Sequence, residues 1–312
     1  MEKKKKNNSQ TKNKKIINAA ELFDKGSQAQ AIYDYPAAIE LYTTALAVEG
    51  ITSEMAYEIL DQRAECYERM GQFTDELDDL DQMVEIAQDL EKPELQVGIV
   101  FRQVFTAARK GENPKVSEIA EAVKKLEKGS DDYSISAAVN LAVGYKHWVQ
   151  EEKEEAQDNF DKALRMYRAV GDRQGEANSL SALSSVLLDT GNQTLAGKYS
   201  LDALAIWRSL GNRKREASAL NAWSLTASDY AQKRDAGEEP LEIFKTIGDR
   251  WGQGQMFNNL SLLYGHLGLY STAREYAVRA VEMVRGMGAL WELALYLDSY
   301  ARTEMNLGEF SI

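Results

Sequence analysis

The sequence predicts an all-α solenoid of antiparallel helix pairs, with about seven and a half repeats over residues 17–312. Three observations carry this expectation. Gly171-Asp172-Arg173, Gly211-Asn212-Arg213 and Gly248-Asp249-Arg250 recur at spacings of 40 and 37 residues. Leu267-Gly268 followed by Tyr270 returns 40 residues later as Leu307-Gly308 followed by Phe310. The 312 residues include only 4 prolines, which suits a helical array because proline breaks helix interiors. A fixed period of this length marks units that cannot bury their apolar faces alone and bury them for one another. A hydrophobic content of 44% is enough for a continuous core.

The elements follow in chain order. Residues 1–16 form a basic leader, expected to be disordered and solubilising. In repeat 1, Ala19 to Tyr33 reads as one helix with Gly26 inside it, and Tyr35 opens the turn into a second. Ala38, Tyr42 and Ala45 lie three or four apart and share one face of that second helix, which Gly50 ends. Repeat 2 places Leu60, Ala64 and Tyr67 on its first helix, turns at Gly71-Gln72-Phe73, and carries Leu80 and Met83 on its second. Glu76 stands there where a small residue is expected. Pro93 separates it from repeat 3, with Val100, Val104 and Ala107, then Val116, Ala120 and Val123, closed by Gly129 and Ser130.

Repeats 4, 5 and 7 are regular: Ala156, Phe160 and Ala163; Ala196, Ser200 and Ala203; Ala273, Ala277 and Ala280. Alanine at such positions lets helices approach closely. Repeat 6 is irregular. Its first helix is expected from Lys214 to Ala231. Its second is expected to be short, from Pro240 to Thr246, because proline is tolerated in a first helical turn and not in a helix interior. A change of curvature, and a notch that could bind, are expected there. Repeat 8 supplies only a first helix, Leu290 to Asn306. Met287, Leu290, Trp291, Leu295 and Tyr296 make it apolar for a capping element, so the array is expected to continue or to be docked upon.

These motifs resemble the tetratricopeptide repeat family, in the roughly 40-residue variety of kinesin light chains and bacterial signalling proteins. The resemblance rests on Leu22, Gly26, Tyr35, Ala38, Tyr42 and Ala45 in repeat 1, and on Gly268, Tyr270, Ala273, Ala277 and Ala280 in repeat 7. It rests also on the linker Gly-Asp-Arg-x-x-Glu-Ala, met at Gly171 to Ala177 and, with Asn212, at Gly211 to Ala217. The third linker departs, with Gly252-Gln253-Gly254. What the resemblance implies is a right-handed superhelical solenoid whose concave surface, lined by first helices, binds a protein or peptide. It also implies an alternative: a sensor or regulatory segment of a larger bacterial signalling protein, docking through its C-terminal end.

Charge narrows the partners. Residues 1–15 hold seven lysines against Glu2 and carry +6, so a body of −18 lies behind the chain total of −12. This argues against nucleic-acid binding by the body and leaves only weak contact through the leader. No apolar run approaches the roughly 18 residues of a membrane span. Cys66 is the only cysteine, which excludes an internal disulfide and a cysteine cluster for zinc and fits a reducing, cytoplasmic setting. His147 and His266 lie on different helices and are too few for a metal site. No phosphate-binding glycine loop and no nucleophile–base arrangement is present, so the chain reads as non-enzymatic and without cofactor.

The candidate binding groove consists of Phe101, Phe105, Tyr145, Trp148, Asn178, Asn221 and Asn258. The four aromatics fall in pairs on single helix faces and are read either as packing or as a ligand platform. Asparagine is poor inside a helix unless its amide is engaged. Asn178, Asn221 and Asn258 would bind a peptide backbone or bond repeat to repeat; Asn259, one place off the groove line, is assigned to the second role. A basic clamp for a terminal carboxylate is missing: repeat 2 offers Glu58, Asp61, Glu65 and Glu68 beside Arg69. An acidic entrance next to aromatics suits a basic or mixed peptide with apolar anchors. The pairs Arg173–Glu176 and Arg213–Glu216 are read as structural and exposed, worth about 0.2–0.5 kcal/mol each.

Overall fold

The computed structural model describes residues 18–127, 132–227, 229–285 and 290–308. The leader, Gly129, Ser130, Met287 and Phe310 lie outside the described residues, as do the side chains of Phe101, Leu290 and Trp291. Among the described residues there are fifteen helices and no strand: α1 (Ala19–Ala31), α2 (Tyr35–Leu46), α3 (Ser53–Met70), α4 (Phe73–Asp89), α5 (Pro93–Arg109), α6 (Asn113–Glu127), α7 (Tyr133–Val149), α8 (Lys153–Val170), α9 (Arg173–Asp189), α10 (Gln193–Ser209), α11 (Arg213–Thr226), α12 (Tyr230–Thr246), α13 (Arg250–His266), α14 (Tyr270–Val284) and α15 (Leu290–Leu307). Each helix packs on the next. None is long and apolar enough to cross a membrane, among the described residues.

The recurring linker is a stop and a start in a few residues. Gly171 ends α8 in the left-handed region at φ 74°, which glycine adopts without steric cost. Asp172 then caps α9 by accepting the Gly175 N–H at 2.9 Å. Asn212 and Asp249 cap α11 and α13 in the same way. Glu176 accepts from Arg173 and, at 2.9 Å, from Arg168 of the preceding helix. Glu216 does the same with Arg213 and Arg208. The carboxylates are buried while the arginines stay about half exposed, so these clusters join successive repeats and are more enclosed than the exposed pairs the sequence suggests.

The repeat cores are built by rings seated on glycines. A Cβ on Gly26 would stand 2.5 Å from the Tyr42 ring, and one on Gly144 would stand 2.5 Å from Phe160. The alanines of the repeat motif, such as Ala156, Ala163, Ala196 and Ala203, are fully buried.

Repeat 6 departs from expectation. α11 stops at Thr226 because Ala227 turns extended, with ψ 137°. α12 is not short: it runs 17 residues with Pro240 inside it. Proline forfeits one backbone hydrogen bond and presses on the preceding turn. The helix persists because Leu241, Ile243 and Phe244 are buried against its neighbours. A cavity of about 180 Å³, lined by Ser224, Gly237, Met256 and Leu260, lies at the site of the expected notch.

Curvature decides which helices form the inner wall. Odd-numbered helices touch other odd-numbered helices (α1 with α3, α5 with α7, α7 with α9, α9 with α11, α13 with α15), which puts them on the inner wall. The curl goes far enough for α3 to touch α13. Tyr35 Oη donates to the Ile247 carbonyl at 2.6 Å, across 212 residues of chain. Burial pushes the Tyr35 hydroxyl up to about 12, so it stays a donor. Phe73 and Trp251 meet edge to face at 6.1 Å. Gly248 has φ 65° and a Cβ there would lie 3.2 Å from the Tyr33 Cβ, so this closure requires glycine twice over.

Cys66 is fully buried, and burial, reinforced by the charge of Glu65, pushes its thiol up to about 12. A thiol reagent at pH 8 is therefore expected to label the native chain only as fast as it unfolds, and to label one thiol at once in denaturant. Immediate labelling without denaturant would show that this part of the core is open.

Candidate functional site

The inner wall encloses a cavity of about 750 Å³. Its lining comes mainly from one face of successive odd-numbered helices: Phe105 on α5, Tyr145 and Trp148 on α7, Asn178 on α9, Asn221 on α11, Asn258 on α13 and Glu292 on α15. The side-chain periodicity that buries the outer face of each of these helices against its partner leaves these positions facing the concave side.

The aromatics are brought together. Tyr145 stands 6.4 Å from Phe105 and 5.8 Å from Trp148, ring centroid to centroid and edge-on to both. Their roles diverge. Tyr145 is buried and packs on Phe160 at 5.1 Å, so it belongs to the repeat core. Burial and weak hydration drive its hydroxyl well above the usual tyrosine range. Phe105 and Trp148 are half-buried and offer ring surface to the cavity. Trp148 is oriented by its indole N–H, which donates to Asp189 at 2.8 Å. The Arg215 guanidinium covers one face of Phe105 at 5.2 Å.

The asparagines divide as well. Asn221 and Asn259 bond to each other, Nδ2 of Asn259 donating to Oδ1 of Asn221 at 2.8 Å, and so tie α11 to α13. Asn178 and Asn258 are buried, line the cavity and make no hydrogen bond with a described residue. Oδ1 of Asn258 in particular is sealed from solvent without a partner. Serines beside them, Ser181 and Ser185, turn back to their own helix carbonyls at 2.9 and 3.1 Å. The wall thus presents two unengaged carboxamides between aromatic surfaces, a lining that can hydrogen-bond a peptide backbone and hold apolar side chains.

The acidic residues of repeat 2 do not form an open entrance. Asp61 is held by Arg102 at 2.5 Å, Glu65 by Arg69 at 2.7 Å and Glu68 by Lys214 at 2.7 Å. Arg69 of the same helix and two cations from other repeats, Arg102 and Lys214, take up the charge that the sequence leaves for a ligand. The residues that sequence reasoning missed are Lys214, Trp251 and Glu292. The first two act through contacts more than 140 residues apart, for which no spacing rule exists. Glu292 carries a local signal, an acid inside the apolar run Leu290-Trp291-Glu292-Leu293. No group of three or more His, Cys, Asp or Glu that could hold a metal ion occurs among the described residues.

No protein-family profile and no curated protein matches the chain. Solved structures do. The Rap conjugation gene regulator of the plasmid pLS20, in complex with the Phr* peptide, superposes with a TM-score of 0.63 at 16% identity, covering 87% of this chain and 76% of its own. A Rap protein complexed with competence and sporulation factor gives 0.53 at 15% identity, over 93% and 76%. A signal transduction ATPase with a tetratricopeptide repeat sensor, from Pyrococcus horikoshii, gives 0.53 at 14% identity, over 93% and 51%. At such identities the likeness shows the fold, a helical repeat solenoid of tetratricopeptide type.

Proposed function

We propose that this chain is a non-enzymatic scaffold that binds a peptide, or an extended segment of a protein, in the cavity of its concave surface. One observation carries the reading: a cavity of about 750 Å³ whose inner-helix lining sets two carboxamides without hydrogen bonds to described residues, Asn178 and Asn258, beside the half-buried rings of Phe105 and Trp148. Buried amides without partners are costly in a binding-free fold and are relieved by a backbone that supplies both donors and acceptors. The solved neighbours named as complexes with a peptide or with a competence and sporulation factor support the same reading. The ligand is basic or mixed in sequence with apolar anchors, and the setting is cytoplasmic. The single buried thiol is in keeping with that setting.

The test is retention of a random hexapeptide library by the full chain and by the Phe105→Ala/Trp148→Ala variant. Aromatic anchors of this kind carry about 2 kcal/mol or more each, so the double variant should lose at least about 100-fold in affinity while keeping its helical circular dichroism. Equal retention by both proteins would remove these aromatics from the site.

A second reading has an observation of its own. Leu297 and Met305 are exposed on α15, as a face that docks on another module would be. In that case Leu297→Ser/Met305→Ser would abolish association with the module and leave peptide retention unchanged.

A further inference from the structure

One charged group in the cavity is left unanswered by the fold. Glu292 sits in the first turn of α15, is 7% exposed and lines the cavity. It makes no hydrogen bond and no ion pair with any described residue. Five other buried carboxylates face a cation: Glu68 and Asp249 face Lys214, Glu176 and Glu216 each take two arginines, and Asp79 takes both arms of Arg63. Glu292, which faces the cavity, has no such cation among the described residues.

A carboxylate on a residue more than nine-tenths covered, open only to the cavity and without a counter-charge, is costly. The positive end of α15 offsets only a fraction of that, since a helix terminus carries about half an elementary charge. Arg215 also lines the cavity, but its guanidinium is engaged by the Phe105 ring and lies 3.9 Å from Glu68. A second acceptor without a partner, Oδ1 of Asn258, lines the same cavity from α13, the inner helix that packs on α15. A turn of the Asn258 carboxamide, which no hydrogen bond to a described residue holds, brings its sealed Oδ1 to the cavity beside the charged acceptor Glu292, and the two are complementary to a cationic donor.

We infer that Glu292, with Asn258, forms a subsite for a cationic group of the ligand, an ammonium or a guanidinium. The inference rests on the peptide-binding reading above and gives it a direction: apolar anchors toward α5 and α7, positive charge toward α15. The net charge of −12 draws such a ligand in. The cation is either a peptide's terminal amine or a Lys or Arg side chain, and the probes separate the two.

The full chain and Glu292→Gln are each presented with three hexapeptide libraries: free amino termini without Lys or Arg, acetylated termini with Lys and Arg, and acetylated termini without either. Phenethylammonium and N-acetylphenethylamine, followed by ligand-observed NMR, serve as probes that are not peptides. The wild type should retain one of the two cationic libraries over the neutral one, and Glu292→Gln should weaken that retention about 10- to 100-fold. The variant without ligand should melt at the wild-type temperature or above it, since it removes an uncompensated buried charge. A clear fall in melting temperature would mean that Glu292 serves the fold, and would overturn the subsite. Retention indifferent to charge, or unchanged in Glu292→Gln, would overturn the subsite and leave peptide binding standing. If no library is retained but phenethylammonium binds the wild type alone, the subsite stands and the peptide reading falls. If neither probe class binds, both fall.

Discussion

Replacing Lys214 by Met is expected to destabilise the folded chain by about 3–5 kcal/mol, although Lys214 lies on neither end of the stack. The residue is 6% exposed, and its ammonium lies 2.7 Å from Glu68 on α3 and 3.5 Å from Asp249 at the head of α13. Removing it takes the nearest cation from two buried carboxylates where α3 meets α13, with Arg215 left 3.9 Å from Glu68. Asp249 also caps α13 through the Gly252 N–H at 2.7 Å, so its displacement reaches a second role. The cost is that of uncompensated charge, which a further change can relieve: Lys214→Met/Glu68→Gln/Asp249→Asn should recover most of the loss, since Asn still caps a helix. In an open solenoid a substitution is felt by its nearest neighbours. Here hydrogen-exchange protection should fall in α3 and α13 together with α11, while α8 keeps its own. A loss below about 1 kcal/mol, or one confined to α11 and α12, would show that the closure contributes little.

How much of this was legible in the sequence depends on the range of the interaction. The turn glycines, the capping Asp or Asn and the buried alanines lie within one repeat, and periodicity finds them. Gly26 with Tyr42 and Gly144 with Phe160 are legible for the same reason: each pair is 16 residues apart, within one helix hairpin. Pro240 was misleading because a local rule against proline met tertiary burial of Leu241, Ile243 and Phe244 that outweighs it. Asp61, Glu65 and Glu68 read as a ligand-facing acidic stripe because Arg102 and Lys214, which answer two of them, come from other repeats. For the candidate site, spacing placed Phe105, Tyr145, Trp148 and the asparagines on inner helix faces. It could not say that Tyr145 would be covered by Phe160, nor that Asn221 would be engaged by Asn259 while Asn258 was not.

Phe160→Ala should have an effect as large as the loss of Lys214, about 3–5 kcal/mol, but of opposite reach. Phe160 is fully buried, its ring lies against the backbone of α7 at Gly144, and it supports Tyr145 from behind. Truncation leaves a void that α7 and α8 cannot close without moving the alanines packed around it. The reciprocal change, Gly144→Ala, overfills the same space, since its Cβ would stand 2.5 Å from the ring; about 1–3 kcal/mol is expected. Because both changes act on one contact, Gly144→Ala/Phe160→Leu should lose less than the sum of its parts by urea unfolding. Additive losses would mean that the ring and the glycine are not a fitted pair. The consequence for the cavity separates packing from recognition. Phe160→Ala should weaken ligand retention through a loosened Tyr145 and Trp148 together with a clear loss of stability, whereas Phe105→Ala/Trp148→Ala should weaken retention with little loss of stability. A Phe160→Ala chain that melts early yet retains ligand as the wild type does would place the binding surface away from α7.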